Sequence, residues 1–142
     1  MGKFITVPAK LIKPTQTDLS YQGLEFILEI YHSFASQLLP PIPVRYHLGE
    51  YLLLDGHHRT AVEVFLGREK VPVYLAKSAE DWLDESLFPF EMRKGLRDNN
   101  GNIYERFKLV LKGRNYAKEY QCQTIRDLFG FDSLYHLAKK IK

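Results

Sequence analysis

Between Tyr51 and Leu66 the chain changes its hydrophobic period, and that change restricts the fold more than any other feature. Tyr51-Leu52-Leu53-Leu54 is a short, unbroken apolar run, the pattern of a strand buried on both faces and therefore central in a sheet. Asp55-Gly56 breaks it. Ala61, Val62, Phe65 and Leu66 then recur at helical spacing, and Gly67 stands where a helix C-cap needs a left-handed residue. Val71 to Leu75 reads as a returning strand. Strand, turn, helix and strand in so short a span predict a βαβ-like unit, with a right-handed crossover if its outer strands are parallel.

The flanking segments extend this unit to an α+β domain. Phe4-Ile5-Thr6-Val7 is β-rich and stops at Pro8, and a polar turn follows around Lys13-Pro14-Thr15-Gln16. Thr17, Asp18 and Ser20 are candidate N-caps for an amphipathic helix over 21–38, whose apolar stripe is Leu24, Ile27, Leu28, Tyr31, Phe34, Ala35 and Leu38. Pro40, Pro41 and Pro43 end it. Val44 to His47 and Tyr51 to Leu54 flank Leu48-Gly49-Glu50, a link able to close a hairpin. Beyond Lys77, Ser78 or Asp81 can cap a helix through Trp82, and Asn99-Asn100-Gly101-Asn102 marks a loop. The stretches 103–120, 125–129 and 133–141 read as helices. The expected organisation is a core over 1–77 followed by a basic, mainly helical extension over 78–142.

With 142 residues and 45% hydrophobic content, the chain can build one domain with a real core. Its single cysteine, Cys122, has no partner for an internal disulfide, and no leader pattern opens the sequence, so a cytoplasmic location is expected. No apolar run approaches the roughly 20 residues that span a bilayer, so no membrane association is expected. The net charge of +3 hides an asymmetry: 8 basic and 11 acidic residues precede Glu91, whereas 12 and 6 follow from there. Solvation of helical surfaces accounts for such a basic half, and so would a nucleic-acid or acidic protein partner.

The chemistry concentrates at Asp55-Gly56-His57-His58-Arg59. A helix start has amides without intrahelical acceptors and carries partial positive charge, so it favours an anion. Gly56 allows close backbone approach, His57 and His58 can donate ring N–H bonds, and Arg59 supplies a permanent charge and a fork suited to phosphate oxygens. Asp55 would repel a phosphate unless a cation such as Mg²⁺ stood between them. It is therefore a candidate metal ligand or proton acceptor, or simply a helix N-cap. Adjacent histidines on a helix point about 100° apart, and one imidazole can equally serve buried backbone groups. Two neighbouring histidines without a third soft ligand do not build a zinc site.

The run from Tyr51 through Thr60 to Ala61, with Leu66-Gly67, Val71-Pro72-Val73 and the Lys13-Pro14 turn, resembles the ParB/sulfiredoxin-like superfamily over about residues 5–75. That resemblance implies a small mixed sheet with packed helices. Within the superfamily the chain looks most like free serine kinases and ParB-like nuclease domain proteins. The likeness implies ligand contacts from Gly56, His57, His58, Arg59 and Thr60, catalytic roles for Asp55 and His57, ATP, ADP or CTP as ligand, and Mg²⁺ at Asp55. In those kinases a glutamate after the Lys-Pro turn is the base for the substrate hydroxyl. The aligned residue here is Gln16, whose amide cannot accept that proton; Asp18 would serve only with the loop shifted. Sulfiredoxin carries a cysteine where this chain has His57, so its sulfur chemistry is not expected.

Three functions follow as expectations. The first is a nucleotide or small-phosphate binding domain, with kinase-like phosphoryl transfer or nucleotide hydrolysis. The second is a ParB-like DNA-binding or nuclease protein using Lys108, Lys112, Arg114 and Lys118, with Tyr104, Phe107 and Tyr116 between them. The third is a non-catalytic interaction module.

Overall fold

In the computed structural model, residues 2–33, 39, 41–77, 116–119 and 121–141 are described. Five strands form one mixed sheet: β1 (Lys3–Pro8), β2 (Ile12–Lys13), β3 (Pro43–His47), β4 (Glu50–Leu53) and β5 (Lys70–Leu75), in the order β1-β5-β3-β4-β2. Four helices are described, α1 (Tyr21–His32), α2 (His57–Phe65), α3 (Tyr116–Glu119) and α4 (Ser133–Ile141). The protein is an α+β fold.

The hairpin expected around Gly49 joins β3 to β4, which pair antiparallel with His47 opposite Glu50. Its two connecting residues, Leu48 and Gly49, both have positive φ (49° and 84°), the handedness that matches the twist of the flanking strands. Leu52 and Leu53 of β4 are buried, and the strand is interior, between β3 and the two-residue β2. The parallel crossover does not form. β3 lies between β4 and β5, antiparallel to the first and parallel to the second, so the strands flanking α2 run in opposite senses. The hairpin has already reversed the chain before α2 starts, and α2 then carries it over β3.

Helix α1 begins at Ser20, whose Oγ accepts from the Gly23 amide. Its stripe buries Leu24 and Leu28, with Ile27 and Tyr31 partly buried beside them. The helix is described to His32, with Ser33 as C-cap; residues 34–38 of the expected stripe lie outside the described residues. Helix α2 ends as its sequence predicts. Gly67 has φ +80°, its amide bonds to the Val64 carbonyl, and the Arg68 amide bonds back to the Glu63 carbonyl.

The C-terminal elements share the core of the sheet. Ile125, Leu128, Phe131, Leu134 and Leu137 are buried in one cluster with Val44, Leu53, Val62, Leu24 and Leu28. Phe129 also forms a parallel bridge with Asp18, so the last quarter of the chain is tied to the loop before α1. The helix expected over 125–129 is instead a single 3-10 turn, Ile125–Asp127. The Asp127 carboxylate accepts from the Gln123 and Thr124 amides, and these bonds hold its pKa below the usual carboxylate value. No pair of helices therefore spans 125–141. The expected elements between 78 and 115 lie outside the described residues.

Two substitutions test this packing. Leu48 is 87% exposed, so its cost is backbone strain with little packing to offset it. Leu48→Asn is expected to raise unfolding stability by about 1 kcal/mol in urea titrations. Leu134, fully buried between α4 and the rest of the core, should cost about 2–5 kcal/mol when cut to alanine. A change below about 0.5 kcal/mol there would be incompatible with a shared core.

Candidate functional site

The turn from β4 into α2 places the five residues of the Asp-Gly-His-His-Arg run in different environments. Gly56 is the N-cap with φ +84°, and a Cβ there would only reach ordinary contact with Ile42. Glycine is therefore required by the left-handed backbone; the close approach it was expected to give a ligand is not what constrains it. The first intrahelical bond runs from the Thr60 amide to the Gly56 carbonyl, so the amides of His57, His58 and Arg59 precede it at the helix end.

His57 turns inward and is only 2% exposed. Its Nε2 accepts the Thr15 amide at 2.8 Å and lies 3.3 Å from Thr15 Oγ1, which itself donates to the Leu53 carbonyl at 2.6 Å. An accepting Nε2 places the neutral ring's proton on Nδ1. The expected ring N–H donation from His57 to a phosphate differs from this arrangement, because burial and the loop 13–20 occupy the imidazole. The ring fastens the Lys13-Pro14-Thr15 turn against the start of α2. Thr60 is likewise turned away: its hydroxyl donates to the Gly56 carbonyl at 2.8 Å.

His58 is half-buried and does the same for the other end of that loop. Its Nε2 accepts the Ser20 amide at 2.8 Å. Burial lowers its pKa, against the attraction of Asp55 and Asp18, whose carboxylates face it. Gly23 makes this contact possible, since a Cβ there would lie 2.7 Å from His58 Cδ2 and Nε2. The His58 ring thus brings the first turns of α1 and α2 side by side, and neither turn contains an acidic residue. Gln16, aligned with the expected base, donates its side-chain amide to the Asp18 carbonyl at 2.6 Å. Asp18 itself is exposed.

Arg59 is partly buried along α2. Its Nε donates to Tyr31 Oη at 3.1 Å, and that hydroxyl donates to Glu63 Oε1 at 2.7 Å. Glu63 is 3% exposed, and its second oxygen meets Arg68 Nε at 3.1 Å. Burial and the Glu63 hydrogen bond push the Tyr31 phenol up to about 12, with Arg59 pulling the other way. Ser20, Gly23, Tyr31 and Glu63 lie outside the motif. The signals were a glycine in the first turn of α1 and a glutamate on the buried stripe of α2.

Among the described residues no group of three or more His, Cys, Asp or Glu side chains is arranged to hold a metal ion. Asp55 and Asp18, both of which act electrostatically on His58, are the carboxylates a cation arriving with a ligand's own oxygens would meet. Of the expected nucleic-acid contacts, Lys118 is exposed on α3, Tyr116 begins that helix, and the others lie outside the described residues. A cleft of about 680 Å³ opens at the opposite, C-terminal end of α2.

Gly23→Ala should expel the His58 ring and cost about 1–3 kcal/mol in stability. A depressed imidazole pKa has a second consequence. Folding favours the neutral ring, so the stability from His58 is present above about pH 6.5 and declines as the pH falls from there toward the lower folded pKa. Urea midpoints measured from pH ~7.5 down to ~5.5 should fall for the parent and fall less for His58→Gln.

No family model matches the chain, and no curated protein is similar to it. Among solved structures it is similar to SbnI with C-terminal truncation from Staphylococcus aureus, at 28% identity and a TM-score of 0.45, covering 54% of this chain and 31% of that one. It is also similar to protein Atu1540 from Agrobacterium tumefaciens, at 17% identity and a TM-score of 0.52, covering 91% of this chain and 63% of that one. The chain spans about a third of the length of the first and under two thirds of the second. The likeness to Atu1540 shows a shared fold.

Proposed function

We propose that this chain is a ParB/sulfiredoxin-like domain that binds the phosphates of a nucleotide at the shared start of α1 and α2. The observation carrying this reading is the junction at His58, where two helix N-termini meet beside Arg59. Two macrodipoles aimed at one patch favour an anion more than either alone, each contributing on the order of 0.5 kcal/mol in water and more where water is excluded. The bond from Arg59 Nε to Tyr31 fixes the plane of the fork near the helix start, and the guanidinium supplies the positive charge a phosphate would meet there.

Asp18 and Asp55 oppose a bare phosphate. At close range one carboxylate offsets much of what a helix end supplies, so phosphate binding here depends on a divalent cation that neutralises them. The cation supplies charge compensation on the phosphate oxygens; the chain supplies Asp55 and Asp18 to hold it and Arg59 to orient the ligand. Phosphoryl transfer, which rests mainly on positioning and charge neutralisation, is the chemistry such a site serves. Gln16, tied back to the Asp18 carbonyl, is an amide and supplies no base for an acceptor's proton, so the reading rests on binding.

Isothermal titration with ATP, ADP, CTP and inorganic tripolyphosphate, each with and without Mg²⁺, tests the reading. Mg²⁺-dependent binding is expected, weakened about tenfold or more by Arg59→Ala. Absence of heat with all four ligands in the presence of Mg²⁺ would exclude it.

A further inference from the structure

Basic residues gather around the cleft at the other end of α2. Three features of the fold gather its walls. The β1–β5 register sets Pro8 opposite Lys70, and the Ala9 amide bonds to the Glu69 carbonyl, which carries Lys10 toward the same place. The Gly67 turn folds Arg68 back along α2 toward Glu63. The 3-10 turn against α2 brings Arg126. Lys10, Arg68, Lys70 and Arg126 thus line one cleft, with Val64 and Ile125 among its apolar lining.

Glu69 is the one acidic residue of that lining, leaving a local charge of +3, as large as that of the whole chain. Arg68 is paired with Glu63 and lies 6.0 Å from the Tyr31 ring centroid; Arg126 lies 5.3 Å from that of Phe131. Among the described residues, Lys10, Lys70 and Arg126 have no ion pair. Like charges converging over apolar walls raise the local positive potential, and a bound anion relieves their repulsion. At about 680 Å³ the cleft has the volume of a small-molecule site.

We propose that this cleft is a second binding site, for a small amphiphilic organic anion: an apolar body of up to three rings or a short chain, bearing a carboxylate, sulfonate or phosphate. The apolar body packs on Pro8, Ala9 and Val64, which are partly exposed, with buried Ile125 behind them, and the anionic group meets the lysines and arginines at the rim. Both halves of the ligand are needed. An apolar molecule leaves the cations uncompensated, and a bare inorganic anion remains in water at an exposed rim, where charge pairs contribute little. The site is separate from the start of α2 and does not depend on the nucleotide reading.

The test uses the full chain and 8-anilinonaphthalene-1-sulfonate, with N-phenyl-1-naphthylamine as the same body without the anion. The sulfonate should bind saturably at one site, about tenfold or more tighter than the amine, and more weakly as salt rises. Lys10→Glu/Lys70→Glu, both at exposed positions, should lose about tenfold in sulfonate affinity while still unfolding cooperatively. Amide shifts in the parent should centre on Val64 and Ile125. Inorganic tripolyphosphate with Mg²⁺ should leave the fluorescence unchanged. Equal binding of both dyes, undiminished binding by the reversed-charge variant, or displacement by tripolyphosphate would each overturn the proposal.

Discussion

Two imidazoles used as acceptors organise the region around α2. His57 Nε2 takes the Thr15 amide and His58 Nε2 takes the Ser20 amide, both at 2.8 Å, so one loop is fastened at two points to the first turn of a helix. Such a loop would otherwise leave amides to water or to no partner, and a buried unpaired amide costs about 1–3 kcal/mol. Adjacent helical residues diverge by about 100°, which is why the pair can reach two places five residues apart. The inner ring takes the buried threonine that follows β2; the outer ring reaches the cap of α1. Protonating either ring would remove the acceptor, so the loop's attachment is tied to the neutral state of both.

The attachment also sets where Arg59 points. With the starts of α1 and α2 held together, Tyr31 on the third turn of α1 lies over α2, and its hydroxyl sits between Arg59 and Glu63. The phenol stays protonated well above neutral pH, so it donates to the carboxylate while accepting from the guanidinium. A buried carboxylate beside two arginines would be a poor source of stability if any partner were missing. Here one oxygen accepts the tyrosine hydroxyl and the other lies 3.1 Å from Arg68 Nε without a hydrogen bond, so the charge is paired electrostatically and the arginine at the helix start is oriented as a by-product.

How far the sequence specified this arrangement depended on whether the signal was local. The hairpin at Gly49, the helix start after Gly56 and its end at Gly67 all followed from residues within a few positions, because backbone sign and period are local properties. The order of strands was not local. The run 51–54 and the run 71–75 read as the outer strands of a βαβ-like unit, yet they are antiparallel with β3 between them, since pairing depends on the hairpin that precedes the helix. The short β2 was missed because two residues have no period. The motif itself was visible, but the roles of its histidines were not. Whether an imidazole meets a ligand or an amide depends on Thr15, Ser20 and Gly23, more than thirty residues away in the chain.

The same network runs along α2 from one end to the other. Arg59 near its start and Arg68 just past its end meet through Tyr31 and Glu63, a path of three polar contacts of 2.7–3.1 Å. Drawing Arg68 toward the cleft would leave Glu63 with Tyr31 as its remaining partner among the described residues, in a place where an undercompensated carboxylate is costly. Arg68 is therefore held at Glu63, and the cations left to meet an anion in the cleft are Lys10, Lys70 and Arg126. The glutamate fixes one arginine at the end of α2 and, through Tyr31, the plane of another near its start.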